Sequence, residues 1–278
     1  MSFMAAGGGR KRGRRSPARG LGSLRAAVLA CVAVVVVAAT AVGGAFAWRA
    51  VRTSGPGVPR AVIVDQLALT DPNPGFVEGA AHQLQAAGYR VDYVPADRVT
   101  VNFYRDLPKR GYDFIVLRTH TSDYRTELTK AAEHDTPQRS IGLFTNERYS
   151  RTTHLDDQYA KRLMIDSYAD RPIKDTYFGI TPEFITESTR GRFDGATVVL
   201  MGCSGLETND LAQAFLGKGA KEFVSWDRPV TAEHTDAATS ALLTNLFAGG
   251  LELREAVAKT MGTVGSDPAF GAKLAVFP

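Results

Sequence analysis

The segment "VVLMGCSGLETNDLAQAFLGKGA", from Val198 to Ala220, carries the pattern that decides the fold. An apolar run rich in β-branched residues ends at Cys203, a turn with Ser and Gly follows, and a helix-like stretch comes next. A short apolar run bounded by turn residues is typical of a buried strand. The chain has only two cysteines, so Cys203 is either a small core residue or a nucleophile.

The same alternation of strand and helix patterns extends over residues 61–278. Upstream, the runs "AVIVDQL", "RVDYV" and "DFIVLRTH" predict strands, with the helix-like "GFVEGAAHQLQAAG" between the first two. Downstream, "KEFVSW" predicts a strand that two further helices follow. Apolar strands that alternate with helices indicate a mostly parallel sheet with helices on both faces. We therefore predict one α/β domain with flavodoxin-like layering.

Residues 121–195 fit this alternation poorly. They are polar and rich in Arg, Asp, Thr and Tyr, with "SIGLFT" and "TYFGIT" as short candidate strands. We interpret the segment as an insertion between two strands of the sheet. Ligand sites in open parallel sheets lie outside the carboxyl ends of the strands, so the strand ends beside this insertion are the first place to look for chemistry.

The first 60 residues differ in charge from the rest of the chain. They hold ten Lys and Arg and no Asp or Glu, whereas the remainder has 23 basic and 29 acidic residues. The basic character therefore belongs to the N-terminal tail. Because a nucleic-acid footprint needs basic residues clustered on the folded domain, we expect no nucleic-acid partner.

An uncharged stretch from Ala26 to Ala47 is long enough to cross a bilayer as a helix. Most flanking basic residues precede it, which keeps the N-terminus cytoplasmic and places the domain outside. We predict a cytoplasmic tail at 1–25, a single-pass membrane anchor at 26–48 and a Gly- and Pro-rich linker at 49–60. The alternative is a signal peptide, since residues 45–47 match a cleavage site; cleavage after Ala47 would give a secreted protein.

Two of the predicted strands end at residues that could act in catalysis. The run "DFIVLRTH" ends at His120, and "ATVVLMGC" ends at Cys203. If these strands are adjacent and parallel, both side chains emerge at one edge of the sheet. An imidazole beside a thiol lowers the thiol pKa, orients the sulfur and protonates a leaving amine. A helix N-terminus after the turn would favour the thiolate further.

This arrangement resembles the caspase-like cysteine peptidases, and most of all their CHAT-domain branch. The likeness covers residues 196–259 best: a strand ending in Cys, a Gly-containing turn, a helix, the strand and loop "EFVSWDRPV", a long helix and "LREAV". It implies a caspase-like fold with Cys203 as nucleophile and His120 as general base and acid. It also implies that the backbone N–H groups of Cys203 and Thr121 hold the oxyanion. Family members usually have Gly where this chain has Thr121.

The resemblance implies a membrane-anchored, extracytoplasmic cysteine peptidase that acts on a peptide or protein and needs no cofactor. The loop formed by Ser225, Trp226 and Asp227 would shape the substrate cleft, with Asp227 either receiving a basic side chain or pairing with Arg228. Two other functions stay open. One is an inactive caspase-like domain that binds a peptide or partner, as Thr121 would permit. The other is a doubly wound domain that binds a small ligand.

The remaining histidines do not form a pattern that predicts a metal site. His154 lies near Asp156 and Asp157, but these residues are close together on one loop and no second His is nearby. We therefore predict no metal. The segment after Cys203 lacks the Lys of a phosphate-binding loop, so we predict no nucleotide site there.

Overall fold

The computed structural model describes residues 57–125, 139–168 and 175–277. The predicted cytoplasmic tail, the membrane anchor or signal peptide at 26–48 and most of the linker lie outside these residues. Within the described ranges, no helix is both long and apolar enough to span a membrane.

The described residues form ten strands and six α-helices. The strands are β1 (Arg60–Asp65), β2 (Arg90–Val94), β3 (Phe114–Arg118), β4 (Thr121–Arg125), β5 (Arg139–Arg148), β6 (Leu163–Ser167), β7 (Thr176–Ile180), β8 (Thr197–Leu200), β9 (Glu222–Trp226) and β10 (Leu274–Phe277). The helices are α1 (Pro74–Ala86), α2 (Val101–Asp106), α3 (Leu155–Tyr159), α4 (Asp210–Gly217), α5 (Ala232–Leu243) and α6 (Leu253–Val264).

Six of these strands make a mostly parallel sheet, here called sheet A. Its order is β10-β9-β8-β3-β1-β2, and only the β10–β9 pair is antiparallel. The predicted α/β class with a mostly parallel sheet is therefore confirmed. Strands β3 and β8, which end just before His120 and Cys203, are direct neighbours in it.

The other four strands form an antiparallel sheet, sheet B, in the order β4-β5-β7-β6. All four strands lie within residues 121–195, and the two short runs predicted as strands there are β5 and β7. Leu143 and Phe178 of sheet B are buried in the same cluster as Val62 and Val198 of sheet A. The segment predicted as an insertion therefore supplies part of the core.

Sheet A has a packed layer on each face because its strands alternate in the direction of their side chains. In β1, Val62 belongs to the cluster that includes α2, α4 and sheet B, whereas Ile63 belongs to the cluster that includes α1, α5 and α6. Strands with both faces buried need apolar residues at every position, which is the continuous pattern seen in the sequence.

Sheet B is strongly curled, and two glycines on its concave face permit the curl. A Cβ on Gly142 would lie 2.6 Å from the Met164 sulfur, and one on Gly179 would overlap the carboxylate of Asp166. Without these Cβ atoms, side chains of the edge strand β6 reach over β7 and β5 to the opposite edge. There Ser122 of β4 donates a hydrogen bond to Oδ1 of Asp166 at 2.6 Å.

Candidate functional site

The candidate site lies at the carboxyl ends of β3 and β8. These strands run parallel in register, with Leu117 beside Leu200. The segments that follow carry His120 and Cys203 into the lining of one cavity of about 570 Å³. The structure therefore brings together the two residues that the sequence singled out.

Several elements complete the cavity. The loop after β1 contributes Leu67 and Asp71, the end of β6 contributes Tyr168, and residues 229–235 form another wall. Phe270 lines the cavity from the loop before β10 and is about half exposed. Residues 229–235 and Phe270 were not predicted to belong to the site, because neither is near His120 or Cys203 in the sequence.

The His120 imidazole is fixed by polar contacts at Nε2 and by two aromatic neighbours. Its Nε2 lies 2.8 Å from the Thr70 hydroxyl and 3.8 Å from a carboxylate oxygen of Asp71. The ring packs edge-on against Tyr168 and tilted against Phe144, with centroid distances of 5.4 Å and 5.7 Å. These contacts restrict the orientation of the imidazole.

The buried side chain of Gln66 fixes the backbone of His120 through a hydrogen bond. Its side-chain oxygen accepts a hydrogen bond from the His120 backbone N–H at 2.8 Å. Its side-chain nitrogen donates to Asn146 and to the Tyr168 hydroxyl, both at 2.7 Å. Gln66 is fully buried, and a buried amide of this kind needs each of its polar atoms paired. The one sequence signal for this position is that Gln66 is a polar residue directly after the end of β1.

Cys203 lies in a less reactive environment than predicted. Its sulfur is 3.4 Å from the carbonyl oxygen of Val230 and 3.5 Å from the Val230 nitrogen. Burial raises the pKa of the Cys203 thiol, and the Val230 backbone lowers this pKa by less than burial raises it. The predicted lowering of the thiol pKa is thus wrong. Helix α4 begins only at Asp210, beyond the turn, so its N-terminus does not directly follow the thiol.

The turn around Cys203 is tightly constrained. Ser204 adopts a left-handed backbone conformation with φ 55°. A Cβ on Gly202 would lie 2.5 Å from the carbonyl oxygen of Thr119, and one on Gly205 would overlap the hydroxyl of Ser225. The glycines on both sides of the Cys therefore allow its turn to press against neighbouring backbone and side chains.

Thr121 connects the two strand ends in a way that the sequence did not reveal. Its hydroxyl donates a hydrogen bond to the Cys203 carbonyl oxygen at 2.5 Å. Thr121 is also the first residue of β4 and pairs with Leu143 of β5. Of the two residues predicted to hold an oxyanion, Cys203 lines the cavity and Thr121 does not.

The structure does not bring Ser225, Trp226 or Asp227 to the cavity. Ser225 and Trp226 are fully buried, and the Trp226 indole N–H donates to the Thr235 hydroxyl at 2.9 Å. Asp227 accepts a hydrogen bond from the backbone N–H of Lys273 at 2.7 Å, which fixes the loop before β10. These three side chains therefore do not line the cavity, whereas the segment that follows them in the chain does.

Among the described residues, no group of three or more His, Cys, Asp or Glu side chains could hold a metal ion. Near His154 the side chains have separate partners. Its Nε2 lies 2.7 Å from Glu147, whereas Asp157 pairs with Arg105 at 2.7 Å.

Neither the protein-family models nor the curated proteins include one that matches this chain. The geometry and chemistry of the cavity are therefore the basis for inferring a function.

Proposed function

We propose that this chain is a caspase-like cysteine peptidase in which Cys203 attacks a peptide carbonyl and His120 carries the proton. The observation that supports the proposal is the position of the two residues, at the ends of adjacent parallel strands and in the lining of one cavity. The cavity volume of about 570 Å³ is in the range of small-molecule and peptide side-chain sites. The apolar segment at 26–48 would anchor the enzyme with this cavity outside the cell.

The contacts of Thr70 favour one assignment of the two imidazole nitrogens. The Thr70 hydroxyl lies 3.3 Å from the carbonyl oxygen of Leu67, to which it can donate its one proton. In that arrangement the Thr70 oxygen accepts from Nε2 of His120, and we propose that Nε2 carries the proton and that Nδ1 is the basic nitrogen. Nδ1 would receive the proton of the Cys203 thiol and pass it to the leaving amine.

The raised pKa of Cys203 determines when the proton moves. Because burial disfavours the thiolate, the resting site holds a neutral thiol. Proton transfer to His120 would accompany the attack of sulfur on the substrate carbonyl. The thioester that results is then hydrolysed by water, with His120 acting as the base.

A non-enzymatic peptide-binding domain is the second candidate, and a different observation favours it. The thiol already donates to the Val230 carbonyl, and its pKa is raised. Thr121, in place of the usual Gly, is fixed to the Cys203 carbonyl and does not line the cavity. A site of this kind would bind an extended peptide without cleaving it.

Alkylation of Cys203 by iodoacetamide tests the catalytic proposal. In the full chain with Cys31→Ser, Cys203 is the single thiol, so every label reports on the site. We expect labelling of the native protein, slowed on the order of 10- to 100-fold by His120→Gln because the base is lost. His82→Gln is the matched control, since His82 is exposed on α1 and should leave the rate unchanged.

Cleavage of a positional-scanning peptide library separates the two candidates. The peptidase proposal predicts turnover that Cys203→Ser lowers by about three orders of magnitude or more. Binding of peptides without turnover, equal in the native chain and the Cys203→Ser variant, would support the binding domain instead. A thiol that is labelled only after denaturation would overturn the catalytic proposal.

A further inference from the structure

A buried arginine lies beside His120 and is linked to the loop that contacts the imidazole. Arg118 is the last residue of β3, and its side chain is 1% exposed. Its guanidinium donates to Asp65 at 2.7 Å and to both carboxylate oxygens of Asp236, at 2.8 Å and 2.9 Å. Burial works against its charge, but the hydrogen bonds to Asp236 and Asp65 outweigh burial and raise the pKa of Arg118.

One further hydrogen bond connects Arg118 to the site. Its Nη2 donates to the backbone carbonyl of Asp71 at 2.8 Å. The hydroxyl of Thr70 and the side chain of Asp71 both lie beside Nε2 of His120. Asn73, two residues later, donates to Asp236 at 2.8 Å, so the same ion cluster holds the loop at a second point.

We propose that Arg118 is a positioning residue: through the backbone of Asp71 it holds Thr70 and Asp71 against His120, and thereby sets which ring nitrogen carries the proton. The inference rests on the proposed function only in taking His120 as the proton carrier. It adds that the orienting group is a side-chain pair on the loop after β1, held by a buried ion cluster that joins β1, β3 and α5.

The geometry of arginine explains why another cation would not suffice. Arg118 donates at once to two carboxylates and one carbonyl, which lie around the plane of its guanidinium. A lysine has one nitrogen at the end of a flexible chain and cannot make this set of contacts in the same directions. Arg118→Lys keeps the charge but should release the Asp71 backbone and loosen the contacts to Nε2.

The chain provides a matched control in Arg105. This residue also pairs with a buried carboxylate, Asp157 at 2.7 Å, and donates to a backbone carbonyl, that of Ser188 at 3.4 Å. Each arginine also lies over a phenylalanine ring. Neither Asp157 nor Ser188 lines the cavity, so Arg105→Lys disturbs a similar ion pair away from His120.

The test is the tautomer of His120, read from the ring ¹⁵N shifts of the labelled full chain and assigned with His120→Gln. We expect the Nε2–H form in the native protein and in Arg105→Lys, and a mixture with the Nδ1–H form in Arg118→Lys. Identical His120 shifts in Arg118→Lys and Arg105→Lys would overturn the proposal. Because tautomers are measured without any reaction, this outcome does not depend on whether Cys203 is reactive.

A second variant covers the case in which Arg118→Lys fails to fold. Thr70→Val is nearly isosteric and removes only the hydroxyl that accepts from Nε2, so it should produce the same mixture of tautomers. An unchanged tautomer in Thr70→Val would equally overturn the proposal.

In folded Arg118→Lys we expect alkylation of Cys203 to slow by about 10- to 100-fold, the order of effect that misplacement of a reacting group produces. The tautomer shift without any labelling of Cys203 would retain the positioning role and reject the peptidase.

Discussion

Asp166 should make the folding stability of this protein depend on pH in an unusual direction. The carboxyl lies on the concave face of sheet B and is 5% exposed. One oxygen accepts from Ser122 at 2.6 Å, and the other is buried without a hydrogen-bond partner among the described residues. Burial therefore raises the pKa of Asp166 to about 6, and the Ser122 hydroxyl only partly offsets this.

The size and sign of the effect follow from linkage. In the unfolded chain the carboxyl has its ordinary pKa of 3.8, so between 3.8 and about 6 the unfolded chain releases a proton that the folded chain keeps. The unfolded state then binds fewer protons, and the free energy of unfolding falls as pH rises through this window. At about 1.4 kcal/mol per pKa unit, the loss from Asp166 is about 3 kcal/mol, complete above the folded pKa.

Urea unfolding near pH 4 and near pH 7, followed by far-ultraviolet circular dichroism, measures this loss. Asp166→Asn keeps an oxygen that accepts from Ser122 but does not titrate. Its buried amide N–H₂ costs about 1–3 kcal/mol at either pH, and this cost cancels when the two pH values are compared. The unfolded carboxyl is already more than half ionised at pH 4, so only part of the full loss falls between the two pH values. The difference in unfolding free energy between them should therefore change by about 2.4 kcal/mol relative to the native chain.

Asp156→Asn is the control, because Asp156 is exposed on α3 and should leave the pH difference as in the native chain. If Asp166→Asn shows the same pH difference as Asp156→Asn, Asp166 is ionised in the folded protein. The account of sheet B as a fold that buries a neutral carboxyl would then be wrong.

Two substitutions test other features of the fold by the same unfolding assay. Gly179→Ala should destabilise the protein by at least about 1–3 kcal/mol, because its Cβ would overlap the Asp166 carboxylate. Gly79→Ala is the control, since nothing lies within 4 Å of a Cβ at this position on α1. It should stabilise the protein by about 0.5–1 kcal/mol. Thr100→Ala should cost about 1 kcal/mol, because the Thr100 hydroxyl caps α2 by accepting from the Phe103 N–H at 3.1 Å, and an unaltered midpoint would show that this cap contributes nothing.

The placement of His120 and Cys203 at one edge of the sheet could be predicted because it depends on local signals. Each residue ends an apolar run of β-branched residues, and each run is short enough to be a strand. In a parallel sheet the carboxyl ends of neighbouring strands share one edge, so the two ends meet once β3 and β8 are adjacent. The sheet class followed from the same runs.

The burial of the Cys203 thiol, and with it the direction of its pKa shift, could not be predicted in the same way. Val230, which contacts the sulfur and contributes to its burial, is 27 residues further along the chain. The sequence also placed Ser225, Trp226 and Asp227 in the cleft, whereas their side chains are used in packing and in fixing a loop. Whether a residue after a strand points into a cleft or into the core depends on what packs against it, and that is set by elements far away in the chain.

The sequence by itself determined the class of the fold and the two strand ends that meet at the candidate site, because strand and helix periodicity and turn residues act over a few neighbours. Only the tertiary structure decided that four strands within residues 121–195 form a second sheet that supplies part of the core. It also decided that Thr70 and Asp71 lie beside His120 and that Arg118 donates to the Asp71 carbonyl. These features are contacts between residues distant in sequence, and their energies depend on burial and on distances that exist only once the chain has packed. The same holds for Cys203, which the structure shows as a partly buried thiol in the lining of the cavity that also contains His120.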